Sequence, residues 1–132
     1  MRKAIYIIGL FLGLSFGLQA QAPNPGAPQI CPVYIPNAFT PNGDNINDKF
    51  TLRVSEDCEV LKYSMQIFDR WGRLVYEANS MDEELAWDGQ FEGNRLNGGV
   101  YLYKTNIEMI NYNNRNGRVV KLDKQGSIIL IR

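Results

Sequence analysis

The chain has 132 residues, with 14 basic side chains, 14 acidic side chains, no histidine and a formal net charge of zero at pH 7. Because histidine is absent, Ser-His and Cys-His nucleophile pairs and histidine metal sites are excluded. A neutral chain also gives no electrostatic reason to expect nucleic acid or an anionic membrane as a partner.

The N-terminal segment is predicted to be a secretory signal peptide. Residues 1–3 read Met-Arg-Lys, and an apolar run follows at residues 4–18. A basic start before an apolar run of roughly 15 residues is typical of export signals and too short to span a bilayer stably. We expect cleavage after Ala20, so that residues 1–20 are removed; a buried N-terminal helix is the alternative. Residues 21–29 hold three prolines and predict an extended arm before a domain at residues 30–132.

Two cysteines, Cys31 and Cys58, are predicted to form a disulfide, because an exported chain resides where disulfides persist. The bridge would close a loop around residues 35–50, a constraint of about 3 kcal/mol on the loop-entropy model. Two free thiols are the alternative.

The stretch at residues 35–50 is rich in turn-forming residues. It contains two prolines, one glycine and six Asn or Asp residues, which cannot continue a helix or a central strand, so a shaped loop is predicted. Its oxygen donors are of the kind calcium prefers, and the only metal-ligand candidates are Asn42, Asp44, Asn47 and Asp48. Their spacing does not match the helix-loop-helix calcium pattern, and Asx turns explain the same residues without an ion. We therefore predict no metal.

The rest of the chain predicts strands. Phe50, Leu52 and Val54 alternate with polar residues, and so do Leu61, Tyr63, Met65 and Ile67, which places each set on one face of a sheet. Residues 61–77 predict a β-hairpin with Arg70-Trp71-Gly72 at its turn.

The C-terminal half continues this pattern. A long strand is expected from Val100 to about Tyr112, followed by a hairpin turn at residues 113–117. Residues 128–131 are four consecutive aliphatics, which predict a strand covered on both faces. With no helical period and about seven short strands, the fold is predicted to be an all-β antiparallel β-sandwich, with a small open barrel as runner-up.

The sequence offers little catalytic chemistry, and we predict no enzyme activity and no cofactor. Glu83, Glu84 and Asp88 could supply an acid pair for glycoside hydrolysis, but a solvated polar loop explains them as well. Trp71 and Trp87 each have two interpretations. Each could fold back as a lid on the core, or each could be a partner-binding anchor.

Five motifs occur in a fixed order along the chain. They are Ile35 to Asp44 with Asn47-Asp48, Ile67 to Tyr76, Trp87-Asp88-Gly89, Gly98-Gly99-Val100-Tyr101 with Tyr103, and the Gly126 to Arg132 ending. With these motifs the chain resembles the gliding motility-associated C-terminal domain, the type B sorting domain of the Bacteroidetes type IX secretion system. Two features depart from the family pattern: Asn45 stands where glycine is common, and residues 111–124 are longer than usual.

The resemblance implies an immunoglobulin-like sandwich that is exported through Sec to the periplasm and then carried to the cell surface. It also implies the type IX outer-membrane translocon and a small outer-membrane β-barrel as partners. The family domain usually ends a long adhesin or enzyme, whereas here it is nearly the whole chain. We therefore expect a non-enzymatic interaction module that serves as carrier or adaptor for a separate surface or gliding protein.

The residues expected to contact a partner are Asn42, Asp44, Asp48, Arg70, Trp71, Arg73, Trp87 and Arg132. The alternative function is a small carbohydrate- or calcium-binding surface module that uses the same sandwich, with Trp71 or Trp87 as a stacking platform.

Overall fold

The computed structural model of the chain describes residues 31–112 and 118–132. The predicted signal peptide, the proline-rich arm and the turn at residues 113–117 lie outside the described residues. Within these ranges, no helix is long and apolar enough to cross a membrane. The elements, in chain order, are β1 Val33–Tyr34, β2 Ala38–Phe39, β3 Arg53–Val54, β4 Cys58–Phe68, β5 Leu74–Ala78, a 3₁₀ turn Glu83–Leu85, β6 Gln90–Phe91, β7 Asn94–Arg95, β8 Gly99–Asn111 and β9 Val119–Leu130.

The predicted all-β, sandwich-like fold is confirmed. Five strands form one sheet in the order β2-β9-β8-β4-β5, and the pairs β1-β3 and β6-β7 form two small ladders. The core lies against the inner face of the five-stranded sheet, and Val33 and Val54 of the β1-β3 ladder pack against that core. The expectation of a wholly antiparallel arrangement is corrected at one pair, because β2 runs parallel to β9. These two strands come from opposite ends of the chain and are not joined by a hairpin, so no short turn imposes an antiparallel direction.

The alternation of side chains defines the two faces of the sheet. In β8, every second residue from Tyr101 to Ile107 is buried on the inner face, while Leu102, Lys104 and Asn106 between them are exposed. β8 pairs antiparallel with β9 from Gly99 opposite Leu130 to Ile110 opposite Val119 without a break. The strands that flank the predicted turn at residues 113–117 therefore pair as expected.

Leu61 corrects the predicted face of β4. Tyr63 is half-buried and Met65 and Ile67 are buried as expected, but Leu61 is 46% exposed. The pairing with β8 shifts register between Val60 and Lys62, so Leu61 is the extra residue of a β-bulge. A bulge leaves one residue without a partner and changes which residues point inward on either side of it.

The C-terminal aliphatic run is covered on one face, and the prediction that both faces are covered was wrong. Ile128 and Leu130 are buried at 0% and 1% exposure, whereas Ile129 and Ile131 are 46% and 47% exposed. Their side chains lie on the outer face of the sheet, where no described element packs over them. The run contributes to the core through every second residue only.

The predicted disulfide between Cys31 and Cys58 is present. Both cysteines are buried, and the bridge attaches the start of the described chain to the first residue of β4. We expect the double substitution Cys31→Ala and Cys58→Ala to lower the free energy of unfolding by about 3 kcal/mol, because the unfolded chain regains the entropy of a 27-residue loop. Urea denaturation measures this loss, and reduction of the wild type should reproduce it. An unchanged midpoint in both samples would contradict the role given to the bridge.

Candidate interaction surface

The loop at residues 40–49, here called the corner loop, is organised by one carboxylate. Asp48 accepts hydrogen bonds from the backbone amides of Gly43, Asn45 and Asn42, at 2.7, 2.7 and 2.8 Å. The hydrogen bond from the Gly43 amide is the largest cause of a lowered pKa at Asp48. Partial burial acts to raise this pKa, and the hydrogen bonds from Asn45 and Asn42 lower it further. The ends of the loop are joined by the Thr40 amide, which donates to the Asn47 carbonyl at 2.8 Å.

The other Asn and Asp residues of the corner loop form local turns. Asp44 accepts from the Ile46 amide at 2.8 Å and from the Asn42 side chain at 2.9 Å. Asn45 and Asn47 have positive φ angles of 64° and 53°, a conformation that asparagine adopts more readily than most residues. Asn45 thus replaces a glycine without loss of the turn. In the described part of the chain, no group of three or more His, Cys, Asp or Glu side chains could hold a metal ion. These contacts favour the Asx-turn interpretation of the candidates Asn42, Asp44, Asn47 and Asp48.

The lowered pKa of Asp48 predicts an acid-sensitive corner loop. Since the folded-state pKa lies below the ordinary value of 3.8, the ionised carboxylate stabilises the fold above that value. This stabilisation is lost as the pH falls through the lowered pKa. Urea denaturation along an acid series should therefore show a steeper loss of stability for the wild type than for Asp48→Asn, which cannot ionise. Parallel pH profiles for the two proteins would contradict the assigned contacts.

Trp87 is the centre of an aromatic cluster in the core. It is 2% exposed, and its ring centroid lies 5.2 Å from that of Phe39, 5.1 Å from that of Tyr101 and 6.4 Å from that of Tyr76. Its indole nitrogen donates to the Gln90 carbonyl at 3.0 Å, so its polar group is satisfied inside the fold. This burial favours the interpretation of Trp87 as a lid on the core, and the ring offers little surface for the predicted contact with a partner.

Trp71 differs from Trp87, since it is 84% exposed at the turn of residues 69–73, here called the hairpin tip. Asp69 fixes this tip by accepting from the amides of Trp71 and Arg73 and from the Arg73 guanidinium, at 2.9 to 3.0 Å. Burial acts to raise the pKa of Asp69, but these hydrogen bonds outweigh it and hold the pKa below its ordinary value. Gly72 takes a φ of 78°, which the turn requires. A large aromatic side chain is thus displayed on a rigid turn.

The two arginines of the hairpin tip have different environments. The guanidinium of Arg70 lies 6.0 Å from the centre of the Trp71 ring, on the exposed side of the tip. That of Arg73 lies 5.1 Å from the centre of the Phe91 ring, which ties the tip to β6. Arg70 and Trp71 are therefore available to a partner, while Arg73 also contributes to the fold.

Arg132 anchors the last residues of the chain through hydrogen bonds. Its guanidinium donates to the carbonyl oxygens of Gly89 at 2.9 Å, Leu96 at 3.1 Å and Pro41 at 3.5 Å. A Cβ atom at Gly89 would lie 3.0 Å from the Leu130 side chain and 3.1 Å from Arg132, and its φ is +77°. Only glycine allows the C-terminal residue to approach this closely, so Trp87-Asp88-Gly89 and the chain ending depend on each other.

The five sequence motifs converge at one end of the domain, here called the motif end. The hairpin tip, the corner loop, the segment after Trp87 and the C-terminus meet there through the contacts described above. The same end holds the start of β8, where the Tyr101 hydroxyl donates to the Asn97 carbonyl at 2.8 Å. The motifs that were scattered along the sequence therefore form one continuous structural region.

An apolar patch, which the sequence analysis missed, lies on the outer face of the five-stranded sheet at the motif end. Pairing brings Leu102 opposite Phe68, Phe68 opposite Leu74, and Val100 opposite Ile129. The members of this outer-face patch, with their exposed fractions, are Leu74 37%, Val100 57%, Leu102 52%, Ile129 46% and Ile131 47%. The signal was present in the sequence, since Val100 and Leu102 alternate with tyrosines, but residues 100–112 were predicted only as a long strand, and residues 128–131 as a strand covered on both faces.

The middle of the outer face is polar. Lys62 and Lys121 form ion pairs with Glu108 at 3.5 and 2.9 Å, and Gln66 donates to Glu77 at 2.9 Å. Five exposed apolar side chains are thus grouped at the motif end, and this polar band separates them from Val119, which is 41% exposed at the other end of the sheet. A grouped apolar patch with a polar border is the usual composition of a protein-binding surface.

The three acidic candidates do not line one common cleft. The carbonyl oxygens of Glu83 and Glu84 accept from the Lys49 ammonium at 3.0 and 2.8 Å, and the Asp88 carboxylate accepts from the Gln90 amide at 3.0 Å. Glu83 and Glu84 border an open cleft of about 400 Å³ against the corner loop, while Asp88 lies outside its lining. The residues that line this cleft include no aromatic side chain on which a sugar ring could stack.

Comparisons with known proteins give one informative match. A family model described as CHU_C type IX secretion signal domain matches residues 33–130, which include all of the strands named above. Among solved structures, the crystal structure of CopC from Methylosinus trichosporium OB3b is 20% identical with a TM-score of 0.35, covering 60% of this chain and 71% of that one. The curated proteins contain no match to the chain.

Proposed function

The chain belongs to the CHU_C type IX secretion signal domain family, and from this premise we propose that it docks to the outer-membrane type IX translocon through its motif end. The family is one of non-catalytic sorting domains, which interact with the secretion machinery and direct export to the cell surface or the medium. In this proposal residues 1–20 act as the Sec signal, residues 21–29 as an arm and residues 30–132 as the docking domain. A small outer-membrane β-barrel then holds the domain at the surface, where it carries a separate surface or gliding protein.

The observation that carries the proposal is the outer-face patch beside the exposed Trp71. Leu102 and Val100 are more than half exposed, and Trp71 projects from a tip fixed by Asp69. Side chains on rigid elements lose little conformational entropy on binding, and a tryptophan such as Trp71 is of the residue type that dominates interface energetics. Arg70 beside Trp71 adds a charged group at the border, which suits a polar rim.

In this proposal the corner loop supports the shape of the motif end and does not contact the partner directly. Asn42 and Asp44 are exposed and Asp48 is half-buried, and the side chains of all three hold the loop in shape. The Arg132 guanidinium is occupied with three carbonyl groups. Substitutions at these positions would alter recognition by changing the shape of the motif end. The direct contacts are assigned to the outer-face patch, Arg70 and Trp71.

The alternative function, a carbohydrate- or calcium-binding surface module, has less support. Trp87 is buried, Trp71 lies outside the lining of the polar cleft, and both oxygens of Asp48 accept backbone hydrogen bonds. Calcium titration by calorimetry after chelator treatment separates the two functions. A stoichiometric heat signal would favour the alternative.

Affinity purification of the tagged chain from its own cells, followed by mass spectrometry, tests the proposed function. We expect outer-membrane components of the type IX machinery to be enriched over a purification in which the tag is carried by an unrelated exported protein. Recovery of no translocon or barrel component from cells that export the chain would contradict docking.

A further inference from the structure

One edge of the five-stranded sheet is open along most of its length. β9 pairs with β8 on one side, and β2 covers the other side only at Ile129 and Leu130. In the described residues, no strand lies beside the remaining residues of β9 on that side. An uncovered strand presents unpaired backbone groups and is a template for pairing with another strand.

The backbone groups on this edge can be assigned. The amides of Ile129 and Ile131 donate to the carbonyls of Asn37 and Phe39, on the side of β9 that faces away from β8. Along an antiparallel strand these directions alternate from residue to residue, and the β8-β9 register has no bulge. The odd-numbered residues from Val119 to Ser127 therefore direct their N–H and C=O groups to the open side.

The two other strands with an uncovered side, β4 and β5, are less suited to pairing. β5 is an edge strand of only five residues, and a short edge strand offers few backbone groups to a partner. β5 covers β4 only from Met65 to Phe68, but the remaining stretch of β4 contains the bulge at Leu61. A bulge breaks the regular spacing of hydrogen-bonding groups and twists an edge away from a partner, which is one way in which proteins protect an edge. β9 lacks that protection.

We propose that β9 pairs antiparallel with β9 of a second copy of this chain, with the two-fold axis passing through Leu122. This register places Lys121 opposite Asp123 of the second copy, and Asp123 opposite Lys121, on the outer face. Leu122 meets Leu122 of the second copy on the inner face, where it is half-buried and already packs against the core. The odd-numbered residues, whose backbone groups face the open side, form the hydrogen-bonded pairs.

The charges on β9 favour a two-fold axis at Leu122 over an axis at a nearby charged residue. An axis at Lys121, Asp123 or Lys124 places a charged residue opposite its own copy, which is unfavourable in a cross-strand pair. The axis at Leu122 instead gives two opposite-charge pairs and one apolar pair. With the axis at Leu122, the edge of one copy is complementary to the same edge of the second copy, as a two-fold interface requires.

The arrangement has a consequence for the outer face. A two-fold axis perpendicular to the sheet joins two five-stranded sheets into one and keeps both outer faces on the same side. Both outer-face patches then point in the same direction and could contact partners in a single membrane. The pairing follows from the edge of the sheet alone and does not depend on the proposed function.

Charge reversal combined with mixing tests the pairing. The full chain, recovered after export, should sediment as a concentration-dependent dimer in analytical ultracentrifugation. Lys121→Asp and Asp123→Lys should each weaken dimerisation roughly ten- to a hundred-fold, because each converts two opposite-charge pairs into like-charge pairs. An equimolar mixture of the two variants restores opposite charges at both pairs and should recover the dimer.

Lys121→Asp replaces the ion pair with Glu108 by a like-charge contact, which could prevent folding. A further variant at a different position tests the pairing in that case. Gln125→Pro removes an amide that points to the open side and leaves the β8-β9 ladder intact, so it should also shift the chain to monomer. A wild type that is monomeric at all concentrations would overturn the proposal. Dimers that survive all three substitutions, or a mixture that fails to recover the dimer, would overturn it equally.

Discussion

Deletion of residues 128–132 is expected to abolish cooperative folding. The segment supplies Ile128 and Leu130 to the core, the strand partner of β2, and the Arg132 guanidinium that bonds three carbonyl groups. Loss of two fully buried aliphatic side chains alone costs on the order of 5 kcal/mol, comparable to the whole stability of a small domain. Thermal and urea unfolding followed by circular dichroism should show no cooperative transition. A truncated chain that unfolds cooperatively would contradict the assigned role of β9.

A matched pair of single substitutions separates the two faces of the same run. Leu130→Ala should lower the free energy of unfolding by about 3 kcal/mol, because it leaves a cavity beside Gly89 in a close-packed core. Ile129→Ala should change it by less than about 1 kcal/mol, because the side chain is nearly half exposed. Equal losses at the two positions would show that both faces are covered.

Substitution in the outer-face patch is expected to block export to the cell surface while the fold is retained. Leu102→Glu places a charge in the middle of the patch, and burying that charge against a partner without a counter-ion is strongly unfavourable. The side chain is 52% exposed in the free chain, so the free energy of unfolding should change little. The cells should retain the variant in the periplasm, as measured by protease accessibility of an epitope tag on intact cells.

Asn106→Glu is the matched control for Leu102→Glu. Asn106 lies on the same strand and the same face, four residues along, but in the polar half of the sheet. It introduces the same charge and should leave surface delivery unchanged. A block in both variants would point to net charge as the cause, and export of both would remove the patch from the docking site.

The arrangement of strands could be predicted where a local pattern determines it. Alternation indicated the inward residues of the second half of β4, aromatic and β-branched residues indicated the long strand β8, and the hairpin between β4 and β5 followed from its turn. The bulge at Leu61 could not be foreseen, because it depends on how β4 aligns with β8, fifty residues away in the chain. β2 is only two residues long, so it leaves no period in the sequence.

The candidate site was predictable in part, for related physical reasons. The Asn and Asp residues near residue 44 indicated a shaped loop, because their side chains bond to neighbouring amides whatever the tertiary structure. The two tryptophans could not be told apart, because both lie next to turn residues and only tertiary packing buries Trp87. The part of the outer-face patch at residues 128–131 was predicted to be covered, because an exposed apolar face and a covered one have the same residue types.

Site-specific photo-crosslinking at position 102 tests the central claim most directly. A photoreactive amino acid replaces Leu102 in one strain and Asn106 in another, and both strains are irradiated during export. Docking through the outer-face patch predicts that position 102 captures an outer-membrane component of the type IX machinery and that position 106 does not. Capture from position 106 alone, or from neither position in cells that export the chain, would contradict the claim.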